Sequence, residues 1–283
     1  MISIIISTYQ DKFIQQLLIN IRDTIGKKII YEIILIENHN LYSISEAYNI
    51  GASKAKYDCL LFIHEDILFN INDWGSILVD YLKNDSIGII GVAGNDYLPN
   101  VPLGWSGLYE CIQINLIQGN KEGDIIKNYI LENDKNAISL DGVFLVCSKN
   151  TYSKYKFEEK IEGFHCYDFI FSNRVANDLQ NIITSKIKIT HFSTGNRTKD
   201  WMKSLIISRK HYNINQNNFN VKLELKAYYY YGLRLIDFEL NTFVFFKEIT
   251  KYLNFFKLKG LSIFVYLYLI FSFIKHKIYG KSK

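Results

Sequence analysis

Ser43-Ile44-Ser45-Glu46-Ala47-Tyr48-Asn49-Ile50-Gly51-Ala52-Ser53-Lys54-Ala55-Lys56-Tyr57-Asp58 runs without a break into Cys59-Leu60-Leu61-Phe62-Ile63 and then His64-Glu65-Asp66. Ser43 and Glu46 stand at capping-box spacing, which predicts a helix from there to about Lys56. The apolar residues Cys59 to Ile63 show no polar alternation, as in a strand buried on both faces. A polar triplet ends that strand at once.

The same pattern occurs twice upstream. Ile2 to Ile6 is an apolar run that ends in Ser7-Thr8-Tyr9. Phe13, Leu17, Leu18, Ile21 and Ile25 then recur at helical spacing, with Gly26 as a stop. Ile33 to Ile36 is a second apolar run and ends in Glu37-Asn38-His39-Asn40. The order is strand, helix, strand, helix, strand, which implies an α/β fold with a mainly parallel sheet covered by helices. Any one polar cluster could be an ordinary solvated loop. Three at the carboxyl ends of successive strands mark the edge where open α/β sheets bind ligands.

The middle of the chain is less regular. Ile87 to Val92 and Ile138 to Val146 read as further strands. Gly94 to Gly107 holds both prolines and reads as a long loop over the site. Gly163 to Asp178 reads as a loop entering a helix, and Ile187 to His191 as a last short strand. Of the tryptophans, Trp74 is expected to pack in the body.

Charge divides the 283 residues unevenly. The net charge is +5, yet residues 206–283 carry thirteen Lys/Arg against four Asp/Glu. The first 205 residues hold twenty positives and twenty-four negatives. A nucleic-acid binder would be basic across its folded face, so nucleic acid is not the expected partner. The expected organisation is a catalytic domain over 1–205 and a helical, aromatic-rich extension over 206–283. Nineteen of the 43 Phe, Tyr and Trp residues fall in that extension. Leu261 to Ile274 has no charge, and lysines 257, 259, 275, 277, 281 and 283 flank it. Fourteen residues fall short of the roughly 20 needed to span a bilayer. Such a segment suits an anionic membrane surface, with a buried helix or a homodimer contact as the plainer alternatives. The four cysteines are widely spaced and the first residues lack a basic signal-peptide region, which fits a reducing cytosol. Asn196-Arg197-Thr198 fits a glycosylation acceptor pattern that a cytosolic chain would not use.

Asp66 is the sharpest chemical signal. A carboxylate just past a buried strand, at the ligand edge, can hold Mg2+ or Mn2+ and bridge it to substrate phosphates. His191 ends another strand and could add a nitrogen ligand, which Mn2+ tolerates better than Mg2+.

Together these stretches resemble glycosyltransferases of the GT-A fold, in particular the family 2 type. The matching residues are Ile5-Ile6-Ser7-Thr8-Tyr9, Ile36-Glu37-Asn38, the A-x-N-x-G of Ala47, Asn49 and Gly51, and His64-Glu65-Asp66. The likeness is well ordered over residues 1–95 and looser to about Trp201. It implies a Rossmann-like sheet with a nucleotide-sugar pocket lined by Thr8, Tyr9, Glu37, Asn38, Asn49, His64 and Glu65. It places the metal on Asp66 and His191, and the donor sugar or acceptor near Asp141-Gly142. His64 stands where the family's D-x-D has its first acid, as in an H-x-D branch. Asp168 matches the catalytic base, with Tyr167 where the usual E-D pair has its glutamate. Glu162 and Asp141 are the fallback bases.

The chemistry implied is transfer from a nucleotide sugar, a UDP-sugar by the family's habit, to a hydroxyl of a glycan or lipid-linked acceptor. The metal would neutralise the leaving diphosphate. Asp168, ionised at an ordinary pKa near ~3.9, would take the hydroxyl proton and attack would invert the anomeric centre. The expected station is the inner face of the cell membrane, in polysaccharide biosynthesis. Two other classes stand beside this one. A nucleotidyltransferase would carry a glycine-rich basic loop where Ser7 to Lys12 has no glycine. A non-catalytic nucleotide-sugar-binding subunit would have lost the base at Tyr167-Asp168.

Overall fold

A computed structural model describes residues 1–9, 11–161, 163–193, 195, 197–213 and 219–280. The chain forms two compact units, Met1–Asp96 with Cys111–Gly195, and Tyr97–Glu110 with Asn196–Lys283. The division falls at 195/196, earlier than the composition change at 206, and residues 97–110 group with the later unit.

The first unit begins β1 (Ile2–Thr8), α1 (Asp11–Thr24), β2 (Tyr31–Glu37), α2 (Ile44–Lys54) and β3 (Cys59–His64). It continues β4 (Ile67–Phe69), α3 (Trp74–Tyr81), β5 (Ile87–Gly91), β6 (Ala93–Asn95), β7 (Ile112–Ile114), β8 (Leu116–Gly119) and β9 (Ile125–Asn128). Then come β10 (Lys135–Ala137), β11 (Ser139–Leu140), β12 (Phe144–Ser148), α4 (Lys149–Tyr155), α5 (Tyr167–Ala176), β13 (Gln180–Ile183) and β14 (Ile189–His191). The main sheet has the order β10-β13-β5-β12-β3-β1-β2. Only β12 and β10 run against the other strands. Two small sheets, β11-β6-β7 and β4-β14-β8-β9, complete the unit.

Register explains why the polar clusters meet. β1 lies between β2 and β3, parallel to both, with Thr8 opposite Glu37 and Ser7 opposite His64. The three strands therefore end at one edge. The capping box forms as expected: the Ser43 side chain accepts from Glu46 N–H and the Glu46 carboxylate accepts from Ser43 N–H. Gly51 lets α2 lie close on the sheet, because a Cβ there would fall 2.3 Å from Ile5 Cγ2. Ala47 is buried on the same helix. The core beneath is aromatic, with Tyr48 5.2 Å from Phe62 and Phe157 4.4 Å from Phe171 between ring centres. Trp74 is buried in this body, stacked on Phe69 at 3.9 Å, and its indole N–H donates to Thr24. All four cysteines are free and buried.

The structure departs from the sequence reading in the middle. Ile138 to Val146 is two strands, because Asp141 accepts from the Val143 N–H at 2.8 Å and turns the chain there. β11 then joins β6 while β12 enters the main sheet. Such side-chain-to-backbone turns are the local alternative that Asp offers to a continuous ladder.

The second unit carries α6 (Lys199–Ser208), α7 (Val221–Asp237), α8 (Thr242–Lys251) and α9 (Ser262–Tyr279). Asn220 and Asn241 cap α7 and α8. The tyrosine run of α7 is split by helical geometry. Tyr228 and Tyr231 are buried and donate to Ile249 O and Glu248 Oε2, while Tyr229 packs on Tyr268. Gly232 admits α9, since a Cβ there would fall 2.3 Å from Leu269 Cδ1. At 18 residues, α9 is longer than the apolar stretch read from the sequence. Among the described residues it is the one helix long and apolar enough to cross a membrane, by length and composition only.

Candidate functional site

The end of β3 sets the site. Along an extended segment, residues i and i+2 face the same way. His64 and Asp66 accordingly share one side, and each offers a ligand atom within 4.8 Å of the other and of one from His191. β14 brings His191 there by pairing antiparallel with β4, with His191 opposite Ile67 and Phe192 N–H donating to Asp66 O. Gln118 fixes the end of β14, donating from Nε2 to the carbonyls of His191 and Ser193.

The donor set is nitrogen, oxygen, nitrogen, which suits a borderline divalent cation. His191 Nε2 is buried without a hydrogen-bond partner and lies 3.5 Å from Asp66 Oδ1, long for a hydrogen bond. Burial alone would raise the Asp66 pKa, but the adjacent His191 and the more distant His64 outweigh it and hold the carboxyl below its ordinary value. Burial pushes the His64 pKa down, and His191 adds to that against the charges of Asp66 and Asp141. A neutral imidazole and an ionised carboxylate are the forms that bind metal. These residues therefore fit a divalent cation.

Glu65, between the two, turns to the body. It is buried, and its Oε2 accepts from the Thr8 hydroxyl and, at 3.0 Å, from Tyr9 N–H. The sequence reading placed Glu65 among the sugar-nucleotide contacts; the structure uses its carboxylate to join the ends of β1 and β3. Thr8 is buried, and Tyr9 is 57% exposed. Glu37 is exposed beside Thr8 in register.

Asn38 and Asn49 also differ from expectation. Asn38 is buried and clamps its own turn, donating to Ser7 Oγ and Tyr42 O and accepting from Tyr42 N–H. Asn49 Nδ2 donates to Phe157 O and Glu159, while its Oδ1 accepts from Tyr152 and Phe157 N–H. Both amides are satisfied within the fold.

Tyr167 is the residue that sequence reasoning undervalued. It opens α5, and its hydroxyl lies 2.8 Å from His64 Nε2. A hydroxyl on one ring nitrogen orients a histidine and leaves the other for a cation. The ring presses on Gly142, where a Cβ would fall 1.9 Å from the Tyr167 hydroxyl. Its signal in the sequence was the break in the E-D pair just before Asp168.

Asp168 Oδ2 accepts from Gly142 N–H at 2.9 Å. Burial and the charge of Asp141 push its pKa to about 7, against the lowering effect of backbone N–H groups at Phe169 and Gly142. This corrects the ordinary acidity assumed from sequence. Glu162 and Asn196 lie outside the described residues. In the second unit, Arg197 donates to Ser106 and lies over the Trp201 ring, and Lys199 donates to Glu239 O.

A mainly parallel sheet whose third strand ends in H-x-D, answered by a late histidine, defines a GT-A type protein. The chain belongs to the glycosyltransferase-like family, whose model matches residues 3–222. No curated protein matches its sequence. The fold is similar to that of S. aureus TarS residues 1–349, with a TM-score of 0.58 and 8% identity over 99% of this chain and 92% of that one. It is also similar to GalNAc-T7, solved with UDP, GalNAc and Mn2+, with a TM-score of 0.51 and 11% identity over 88% of this chain. The chain spans only 54% of the GalNAc-T7 chain.

Proposed function

We propose that this protein transfers a sugar from a nucleotide-sugar donor, a UDP-sugar, to a hydroxyl of a glycan or lipid-linked acceptor, with inversion. The observation that carries this reading is the convergence of His64, Asp66 and His191, with a buried, unpartnered His191 Nε2. GalNAc-T7, which shares the fold, was solved with UDP and Mn2+, and this supports the choice of nucleotide and metal.

Asp66 and His191 hold the cation, with His64 as third ligand oriented by Tyr167. Bound there, Mn2+ or Mg2+ supplies Lewis-acid neutralisation of the leaving diphosphate. Thr8, Tyr9 and Glu37 flank the donor at the β1–β2 end of the edge, with the exposed Tyr9 ring offered to the base. Asp168 accepts the proton of the attacking hydroxyl. With a pKa of about 7 it is a stronger base than an ordinary aspartate, and about half of it is ionised at neutral pH. Asp141 keeps it basic by its charge, and Gly142 N–H orients the carboxylate. Attack opposite the diphosphate inverts the centre. The station of the reaction in this reading is the inner membrane surface, where lipid-linked acceptors reside.

The test is a screen of nucleotide sugars for metal-dependent release of nucleotide, repeated with Asp66→Ala. Loss of release in a folded variant supports the reading. Release at the wild-type rate, or release indifferent to chelation, would overturn it.

A further inference from the structure

Helix α9 carries two apolar stripes, and the fold uses one. Ser262, Leu269 and Phe273 are buried: Leu269 lies against Gly232 of α7, and Phe273 stacks on Phe245 of α8 at 4.2 Å. On the opposite side Phe264, Leu267, Phe271, Ile274 and Ile278 follow at alternating spacings of three and four, with 71, 56, 67, 48 and 65% exposure. That spacing aligns them along one helical face. Phe256, in the turn before α9, is 90% exposed, and Phe243 on α8 is 75% exposed. Exposed large apolar side chains so concentrated mark a surface made to be covered.

We infer that this second stripe of α9 is a membrane-docking face that lies flat in the interface of an anionic bilayer. It deepens the membrane-side placement proposed above, on which it rests, and names the surface responsible. Charge identifies the occupant. Lys257 and Lys259 precede the helix and Lys275 and Lys277 lie within it, while no acidic residue follows Glu248 in the sequence. A second copy of the same face would bring like charges together, whereas anionic headgroups complement them. Packing identifies the orientation. A helix held along one side by α7 and α8 presents the other side to lipid and does not thread the bilayer. The exposed phenylalanines supply the apolar insertion, and the lysines reach the headgroups.

The experiment uses the full chain and vesicles of phosphatidylglycerol mixed equally with phosphatidylcholine, read by sedimentation. Phe264→Gln with Phe271→Gln should lower partition on the order of 100-fold, since each removes one inserted aromatic side chain. Lys275→Gln with Lys277→Gln should lower it roughly 30-fold on these vesicles and leave the weak binding to pure phosphatidylcholine unchanged. Circular dichroism and donor hydrolysis, both measured without lipid, report that the fold and the sugar site are intact. Wild-type protein that fails to sediment with anionic vesicles overturns the inference, whether or not donor hydrolysis is found. So does a lipid-free dimer that the phenylalanine variant dissolves, because a second copy would then cover the face. Sugar transfer failing while vesicle binding survives would refute the proposed activity and leave this docking face standing.

Discussion

Asp168→Asn separates two consequences of one largely buried carboxyl. In the wild type its pKa lies at about 7, against an ordinary value of 3.8. The folded state therefore holds the proton more tightly than the unfolded state. Its contribution to stability is fully present below about pH 4 and is lost as pH rises through about 7. At ~1.4 kcal/mol per pH unit the loss comes to about 4 kcal/mol. Screening of the partly exposed side chain brings this to roughly 2–4 kcal/mol. Asparagine keeps an oxygen for Gly142 N–H and carries no charge at any pH. The variant should thus match the wild type near pH 4 and exceed it by roughly 2–4 kcal/mol above pH 8. Paired thermal or urea melts across that range measure the difference. Over the same range wild-type sugar transfer should rise with pH through about 7, as the carboxylate forms, and the variant should lack activity at every pH. A variant that is more stable at high pH and inactive places a charged base at this position. If the stability difference does not grow with pH, burial of the charge is misjudged. If the variant transfers sugar normally, Asp168 is not the base.

Three further outcomes are expected around the site. Asp66→Ala should abolish Mn2+ binding in calorimetry and lower metal-dependent release of nucleotide by more than ~100-fold, beyond the cost of losing an outer partner. Tyr167→Phe should weaken Mn2+ binding ~10–100-fold while the buried ring keeps the fold; an unchanged isotherm would show that the hydroxyl does not orient His64. Gly142→Ala should cost ~1–3 kcal/mol in urea melts, because its Cβ meets the Tyr167 ring and hydroxyl. A loss as large in the Tyr167→Ala background would refute that contact.

The sequence made β1 and β3 legible because both are buried on both faces, whereas the edge strand β2 is mostly half-buried. β3 is apolar up to His64 and β1 is apolar but for Ser3 up to Ile6, and each ends in the polar residues of the edge. The capping box of Ser43 and Glu46 was equally plain, since both partners lie within one turn. β9, β10 and β13 were missed because Lys127-Asn128, Lys135-Asn136 and Gln180-Asn181 read as loop residues. β10 and β13 pair with strands far away in the chain and β9 pairs in a hairpin with β8, so pairing, not apolar periodicity, makes them strands. In the site, Asp66 and His191 could be singled out because one lies just past a buried strand and the other ends one. The roles of Asn38 and Asn49 could not. An amide near the ligand edge reads the same whether it faces a nucleotide or hydrogen-bonds the fold, as Asn38 does in its own turn and Asn49 does to the distant Phe157 carbonyl.

The H-x-D triplet shows how one short segment can serve both fold and chemistry. Because alternate residues of an extended segment face opposite ways, the two outer side chains are free to meet His191, and the middle one must turn elsewhere. Here it turns to the end of β1, where the Glu65 carboxylate receives Thr8 and Tyr9 N–H. A buried carboxylate is costly unless hydrogen-bonded, so this position needs those two donors to be supplied by the fold. The join in turn ties the end of β3 to the end of β1, so the proposed cation ligands and donor-flanking residues are held as one piece. Histidine in the first position has its own consequence. It adds no negative charge beside Asp66, and its second nitrogen can accept orientation from Tyr167. The family's glutamate before the base could not do this without placing a carboxylate beside Asp168, whose pKa burial and the charge of Asp141 already raise. Histidine at 64 and tyrosine at 167 are thus a matched pair. Exchanging either alone for the residue more usual in the family should weaken cation binding more than exchanging both, and a double-mutant cycle on Mn2+ affinity measures that coupling. Additive effects would show that the pair is not matched.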